Sequence, residues 1–143
     1  MKVEILRIDK SLPLPKYETQ GSFAFDFLAR EETIIAPQEI KLIPSNVIVK
    51  CPQNLALLVL PRSSMPLKKS LVCPHSIGLI DSDYHGEKDE IKIQVMNIGK
   101  STVTVEKGEK IAQGLFVKTE KIEFSEDHTP SEISRGGFGS TGK

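Results

Sequence analysis

The chain is poor in the features that would commit it to a membrane, to nucleic acid or to a permanently bound metal. Its 143 residues include only two cysteines, Cys51 and Cys73, which have neither the spacing of a metal knot nor the number for a disulfide framework. Two reduced thiols are ordinary in the cytosol, so a cytoplasmic location is expected. Net charge is missing too, since 19 Lys and Arg balance 19 Asp and Glu. A broad nucleic-acid or membrane surface needs a positive field, so neither partner is expected. A small phosphate site, where a few cations act locally, is still open. No stretch approaches the ~18 apolar residues of a membrane span. The opening MKVEILRID has no long apolar core and no small-residue cleavage site, so no signal peptide is expected.

Helical periodicity and internal repeats are likewise missing, and what recurs is period two. Ile91, Ile93 and Val95 alternate with Lys92, Gln94 and Met96, which predicts a strand over 91–97. Val103 and Val105 alternate with threonines, and Ile122 and Phe124 with Lys121 and Glu123. The apolar run Leu55–Leu60, closed by Pro61, reads as a strand buried on both faces. Further strands are expected over 3–8, 23–29, 33–35, 40–43, 47–50, 76–80 and 115–117. At most one short helical turn is expected after Ser63, limited by Pro66. Nine prolines and ten glycines fall mostly between these runs. Hydrophobic residues at 38% and charged ones at 27% are typical of a soluble globular chain, and the length suits one domain. Many short strands at this spacing predict an all-β sandwich, jelly roll or closed barrel.

Four segments carry side chains suited to chemistry. Pro61-Arg62-Ser63-Ser64 ends the buried run, setting a guanidinium fork and two hydroxyls at one point, a combination suited to phosphate oxygens. Gly78 through Glu87 reads as a strand entering a turn dense in carboxylates. There Asp81 could take a proton from water, or could simply form a solvated turn. Gly108 through Gln113 is a turn entering a strand, and Gln113 is either a solvent-facing strand residue or a fixed amide donor. The last residues, 125–143, are rich in Ser, Gly, Thr and Glu, as in a mobile tail. Yet Arg135 and Phe138 stand there among glycines whose N–H groups can converge on an anion, while an aromatic ring can cover a base.

In order and spacing these segments, with 23–29, resemble the five motifs of the trimeric dUTPase family, over nearly the whole chain. The resemblance implies a distorted jelly-roll β-barrel over 1–124 and a flexible C-terminal arm over 125–143 that closes on the active site. It implies hydrolysis of dUTP to dUMP and pyrophosphate by a homotrimer with shared sites. Asp81 would be the base that activates water against the α-phosphorus, and Tyr84 would pack under the deoxyribose. Gly78 and Ile80 would lie along the uracil, while Arg62, Ser63, Ser64 and Gln113 would hold phosphates. Arg135, Phe138, Gly139, Ser140 and Thr141 would act from the arm. Mg²⁺ would be carried by the triphosphate, with Asp26 orienting one of its waters. The sequence departs from the family pattern in the shortened spacing of Arg135 to Phe138, in Pro74-His75-Ser76 where Asn or Gly is frequent, and in bulky Phe23 and Phe25. Two alternatives share the fold: a dCTP deaminase-like enzyme and a non-catalytic regulatory protein.

Overall fold

In the computed structural model, which describes residues 2–126 and Gly136, the chain is built almost entirely of short strands. In order these are β1 (Glu4–Arg7), β2 (Phe25–Leu28), β3 (Thr33–Ile35), β4 (Ile40–Pro44), β5 (Val47–Lys50) and β6 (Leu55–Leu60). After helix α1 (Met65–Lys69) come β7 (Leu71–Val72), β8 (Gly78–Ile80), β9 (Lys92–Asn97), β10 (Val103–Val105) and β11 (Lys110–Lys118). All pairings are antiparallel. They divide among four sheets ordered β2-β11-β6-β8, β4-β9-β7, β1-β5 and β10-β3. Non-consecutive strands lie side by side throughout, which is the jelly-roll type of wrapping.

The period-two pattern explains why the sheets close on one core. Phe25 and Phe27 of β2, Ile93 and Val95 of β9, and Val105 of β10 point inward, while their neighbours in sequence point out. Ile35, Ile43, Leu57, Leu71 and Ile111 complete an interior that excludes water. Gly114 belongs to this packing, because a Cβ there would lie 2.4 Å from Cζ of Phe25.

Several expectations are corrected. β6 is not buried on both faces: Leu57 and Val59 enter the core, whereas Leu58 and Leu60 are only half covered within one chain. The strand expected over 115–117 is the end of the longer β11. Ile122 and Phe124 alternate as a strand would, yet no strand follows Lys118 among the described residues, and both side chains are exposed. Pro66 sits in the first turn of α1, where a missing N–H costs nothing, so it starts the helix and does not curtail it. Among the described residues no helix is long and apolar enough to cross a membrane. The expected arm lies, apart from Ser125, Glu126 and Gly136, outside the described residues.

Candidate active site

The candidate residues gather in two groups, one just past the end of β6 and one along β8. β8 runs from Gly78 opposite Val59 to Ile80 opposite Leu57, and then to Asp81 near the start of β6. The first group lies where β2, β11 and β6 run side by side. The alternation that sends Phe25 and Phe27 inward turns Asp26 outward, and Asp26 faces Gln113, which in turn faces Leu60. Two residues beyond Leu60 the chain reaches Arg62, whose Nε lies 2.9 Å from Asp26 Oδ1 in an ion pair. Its Nη1 donates to the main-chain oxygen of Lys110 at 3.2 Å. Gln113 Nε2 donates to the Pro61 carbonyl at 3.0 Å, which ties β11 to the turn that carries Arg62. Ser63 and Ser64 follow at the entry to α1, and the Ser64 side chain makes no capping bond there.

Lys110 also belongs to this group, for a reason of strand geometry. Residues 110 and 113 differ by an odd number, so in a regular strand they would face opposite ways. The register of β11 against β2 shifts between Lys110 and Ala112, a bulge that lets both Lys110 and Gln113 reach the Asp26 side. Lys110 Nζ lies 2.8 Å from Asp26 Oδ2 and 2.8 Å from Glu18 Oε1. The hydrogen bonds to Asp26 and then to Glu18 hold the Lys110 ammonium above the ordinary lysine pKa. The same bond holds the Glu18 carboxyl below its usual range. Glu18, Asp26 and Lys110 line a cleft of about 390 Å³ together with Leu12, Lys16, Leu28 and Gly108.

The second place is the hairpin leading into β8. A turn closes where Ser76 N donates to Cys73 O at 3.0 Å, and Ser76 takes a left-handed φ of 67°. β8 pairs with β6 on one side only and is the edge of its sheet, so its outer N–H and C=O groups face a cleft. That cleft, about 350 Å³, is lined by Val59, Cys73, His75, Ile80 and Gln94 among others. Gly78 lets the backbone approach here, since a Cβ would sit 3.2 Å from Cβ of Val59. Asp81 follows directly and is exposed, and Tyr84 N donates to its carbonyl at 3.2 Å. Tyr84 is 40% exposed at the same turn.

This turn is anchored from below by a pair that sequence reading missed. Glu90 is buried, accepts from Arg30 Nε at 2.9 Å and Nη2 at 3.1 Å, and takes the Asn46 N–H at 2.9 Å. The Glu90 bonds hold the Arg30 guanidinium above its ordinary pKa. Because Arg30 and Glu90 lie 60 residues apart, no local pattern announces them.

Ile80 sits opposite Leu57, so Asp81 stands near the start of β6 while Arg62 lies past its end. At 3.3 Å per residue the separation along the strand is roughly 15–20 Å. One chain therefore brings Asp26, Arg62, Ser63, Ser64 and Gln113 together, and sets Gly78, Ile80, Asp81 and Tyr84 along a second segment that leads away from them, so that Asp81 stands apart from Arg62. Arg135, Phe138, Gly139, Ser140 and Thr141 lie outside the described residues. Among the described residues no three His, Cys, Asp or Glu side chains converge on a metal position. A hard cation that keeps its waters and arrives on phosphate oxygens needs only a carboxylate within reach of one water. Asp26, sited among cations that would also meet phosphates, fits that demand.

Comparison with known proteins agrees with this fold and with the family that the sequence resembles. The dUTPase family model matches residues 10–142. The deoxyuridine 5'-triphosphate nucleotidohydrolase of Helicobacter pylori (strain Shi470) is 39% identical over 99% of this chain and 97% of its own length. The crystal structure of dUTPase from Streptococcus mutans shares 33% identity at a TM-score of 0.79, covering 87% of this chain and all of that one. A mutant dUTPase from phage phi11 of S. aureus, described as coordinating a structural Mg(II) ion, is 21% identical with a TM-score of 0.81 and shows likeness of fold. With a family match running almost end to end and relatives of this identity over nearly the whole length, the chain belongs to the dUTPase family.

Proposed function

We propose that this protein hydrolyses dUTP to dUMP and pyrophosphate at sites shared between the subunits of a homotrimer. The observation that carries the reading is the separation along β6 between Asp81, near its start, and Arg62, past its end. A triphosphate carries close to four negative charges and must meet cations and fixed donors, which the Arg62 end offers. Base recognition needs unpaired backbone groups beside a carboxylate, which the β8 edge and Asp81 offer. A span of roughly 15–20 Å is too long for one α-phosphate to bridge within a chain. The hairpin of one subunit over the phosphate end of another removes the difficulty.

In this arrangement the edge of β8 reads the uracil through main-chain N–H and C=O groups. Cytosine would reverse two of these partners and leave them unpaired. Gly78 keeps the backbone close, Ile80 packs along the base, and the Tyr84 ring fills the space a 2′-hydroxyl would need. Asp81 accepts a proton from water as its oxygen attacks the α-phosphorus. The bond from that phosphorus to the bridging oxygen breaks, and pyrophosphate departs in line. Arg62, Ser63, Ser64 and Gln113 bind the phosphates and stabilise the leaving group. Mg²⁺ arriving on the triphosphate would supply further charge neutralisation, and Asp26 would be the carboxylate that holds it through a water. Residues 125–143 act as an arm: Phe138 covers the base, and Arg135, Gly139, Ser140 and Thr141 meet the terminal phosphate. The free thiols Cys51 and Cys73 support a cytoplasmic setting.

The direct test incubates the purified protein with Mg²⁺ and each deoxynucleoside triphosphate in turn and measures pyrophosphate. Release from dUTP alone is expected. Release of ammonia from dCTP, or turnover of all four common deoxynucleotides, would defeat the reading.

A further inference from the structure

The reading above gives Lys110 no task, yet both charged members of the phosphate end are held through it. Its ammonium meets Asp26 Oδ2, its main-chain oxygen accepts from Arg62 Nη1, and Glu18 grips the ammonium from the far side. A carboxylate left alone with a guanidinium takes it by two parallel N–H bonds. Here Lys110 occupies one oxygen of Asp26, so that Arg62 gives Asp26 only its Nε and rests Nη1 on a neutral carbonyl. Among the described residues only Nε and one N–H of Nη1 meet these partners, which leaves three of the five guanidinium N–H donors for a ligand. The bulge in β11 exists at the one place that aims Lys110 at this carboxylate. A lysine suits the task because its three donors can serve two carboxylates at once.

Resting on the dUTP reading, we propose that Lys110 is a positioning residue: anchored by Glu18, its ammonium holds Asp26 in place and keeps Arg62 available to the triphosphate. Stability alone does not account for it, since the side chains of Lys110 and Glu18 are 37% and 43% exposed and such pairs contribute little to folding.

The test is a double-mutant cycle read by calorimetric titration with the uncleavable imido analogue of dUTP in Mg²⁺, alongside melting temperatures. Lys110→Met keeps the stem and the main-chain oxygen while removing the charge. It is expected to raise the dissociation constant about five- to tenfold, and Lys110→Arg to restore it to within about twofold. In an Asp26→Asn background the Lys110→Met penalty should vanish, because Lys110 acts through that carboxylate. Equal penalties in both backgrounds would mean a direct contact with phosphate and would overturn the proposal. So would an unchanged affinity with a lowered melting temperature. Should Asp26→Asn fail to fold, Glu18→Gln provides the second cycle. It should weaken binding by about twofold in the wild type and not at all beside Lys110→Met. A wild type that binds no analogue would defeat the dUTP reading and this inference together, whereas tight wild-type binding with a silent Lys110→Met defeats the inference alone.

Discussion

The Arg62 end of β6 and the β8 edge are built on opposite plans. Around Arg62 the charges interlock: Asp26 lies between Arg62 and Lys110, and Lys110 between Asp26 and Glu18. Around Asp81 the carboxylate stands exposed, Tyr84 is partly exposed, and the sheet edge keeps its backbone groups unpaired on one side. The first end is preorganised for a ligand whose charge is known in advance. The second is a half-site, finished only when something is laid against it. Rigid charges cost no reorganisation when phosphate arrives, and an open edge imposes selection by shape and hydrogen bonding.

The largest effect should come from breaking the open end. Asp81→Asn preserves shape and removes the base, so kcat should fall about 10²–10⁴-fold while affinity for the uncleavable analogue stays near normal. Near-wild-type turnover would take Asp81 out of the mechanism. The comparison itself is tested by combining variants. Arg62→Ala breaks the other end and should also be nearly inactive, yet co-refolded trimers mixing it with Asp81→Asn should regain turnover that neither parent has. Each mixed trimer then holds a site with an intact Asp81 from one copy and an intact Arg62 from another. Verified mixed trimers that stay inactive would mean that both ends serve the same chain.

A smaller effect, on stability, is expected beneath the hairpin. Arg30→Met leaves the buried Glu90 carboxylate with the Asn46 N–H and no cation. Breaking a buried pair in this way costs about 3 kcal/mol, less if Glu90 takes up a proton. Urea denaturation at neutral pH should show the loss. If the midpoint does not move, the pair does not anchor the turn.

Much of this organisation is legible in the sequence where it is local. Strands with one face in the core, such as Phe25–Leu28 and Lys92–Asn97, betray themselves through alternation. The two ends of the candidate site are legible because the turns after β6 and β8 concentrate polar residues that no core would take. What alternation hides is any departure from it. Lys110 escapes notice because a bulge reverses its facing relative to Gln113, and register shifts depend on the partner strand. Ile122 and Phe124 mislead in the opposite sense, since alternation describes a surface able to pair without saying that a partner is there. The Arg30–Glu90 bond is a product of tertiary folding, and neither residue stands out in its own segment.

The smallest effect sharpens what the open end selects by. Tyr84 Oη reaches the Glu90 carbonyl only at 3.5 Å, the outer limit of a hydrogen bond, whereas the backbone that carries the ring is held by the turn bond from Tyr84 N to Asp81 O at 3.2 Å. If discrimination against the 2′-hydroxyl is a matter of occupied space, the ring carries it and the hydroxyl does not. Tyr84→Phe should then leave the ratio of kcat/KM for dUTP over UTP within about twofold of wild type, since losing so long a bond removes little free energy. Tyr84→Ala should lower that ratio about tenfold or more, by opening room for the ribose hydroxyl. The two variants also separate shape from folding: loss of selectivity in both, with lowered melting temperatures, would mean that the Glu90 contact holds the turn in register. Selectivity kept by Tyr84→Ala would move the sugar filter away from this ring altogether. Only the pattern of a silent Phe and a permissive Ala fits an edge that selects by leaving no room.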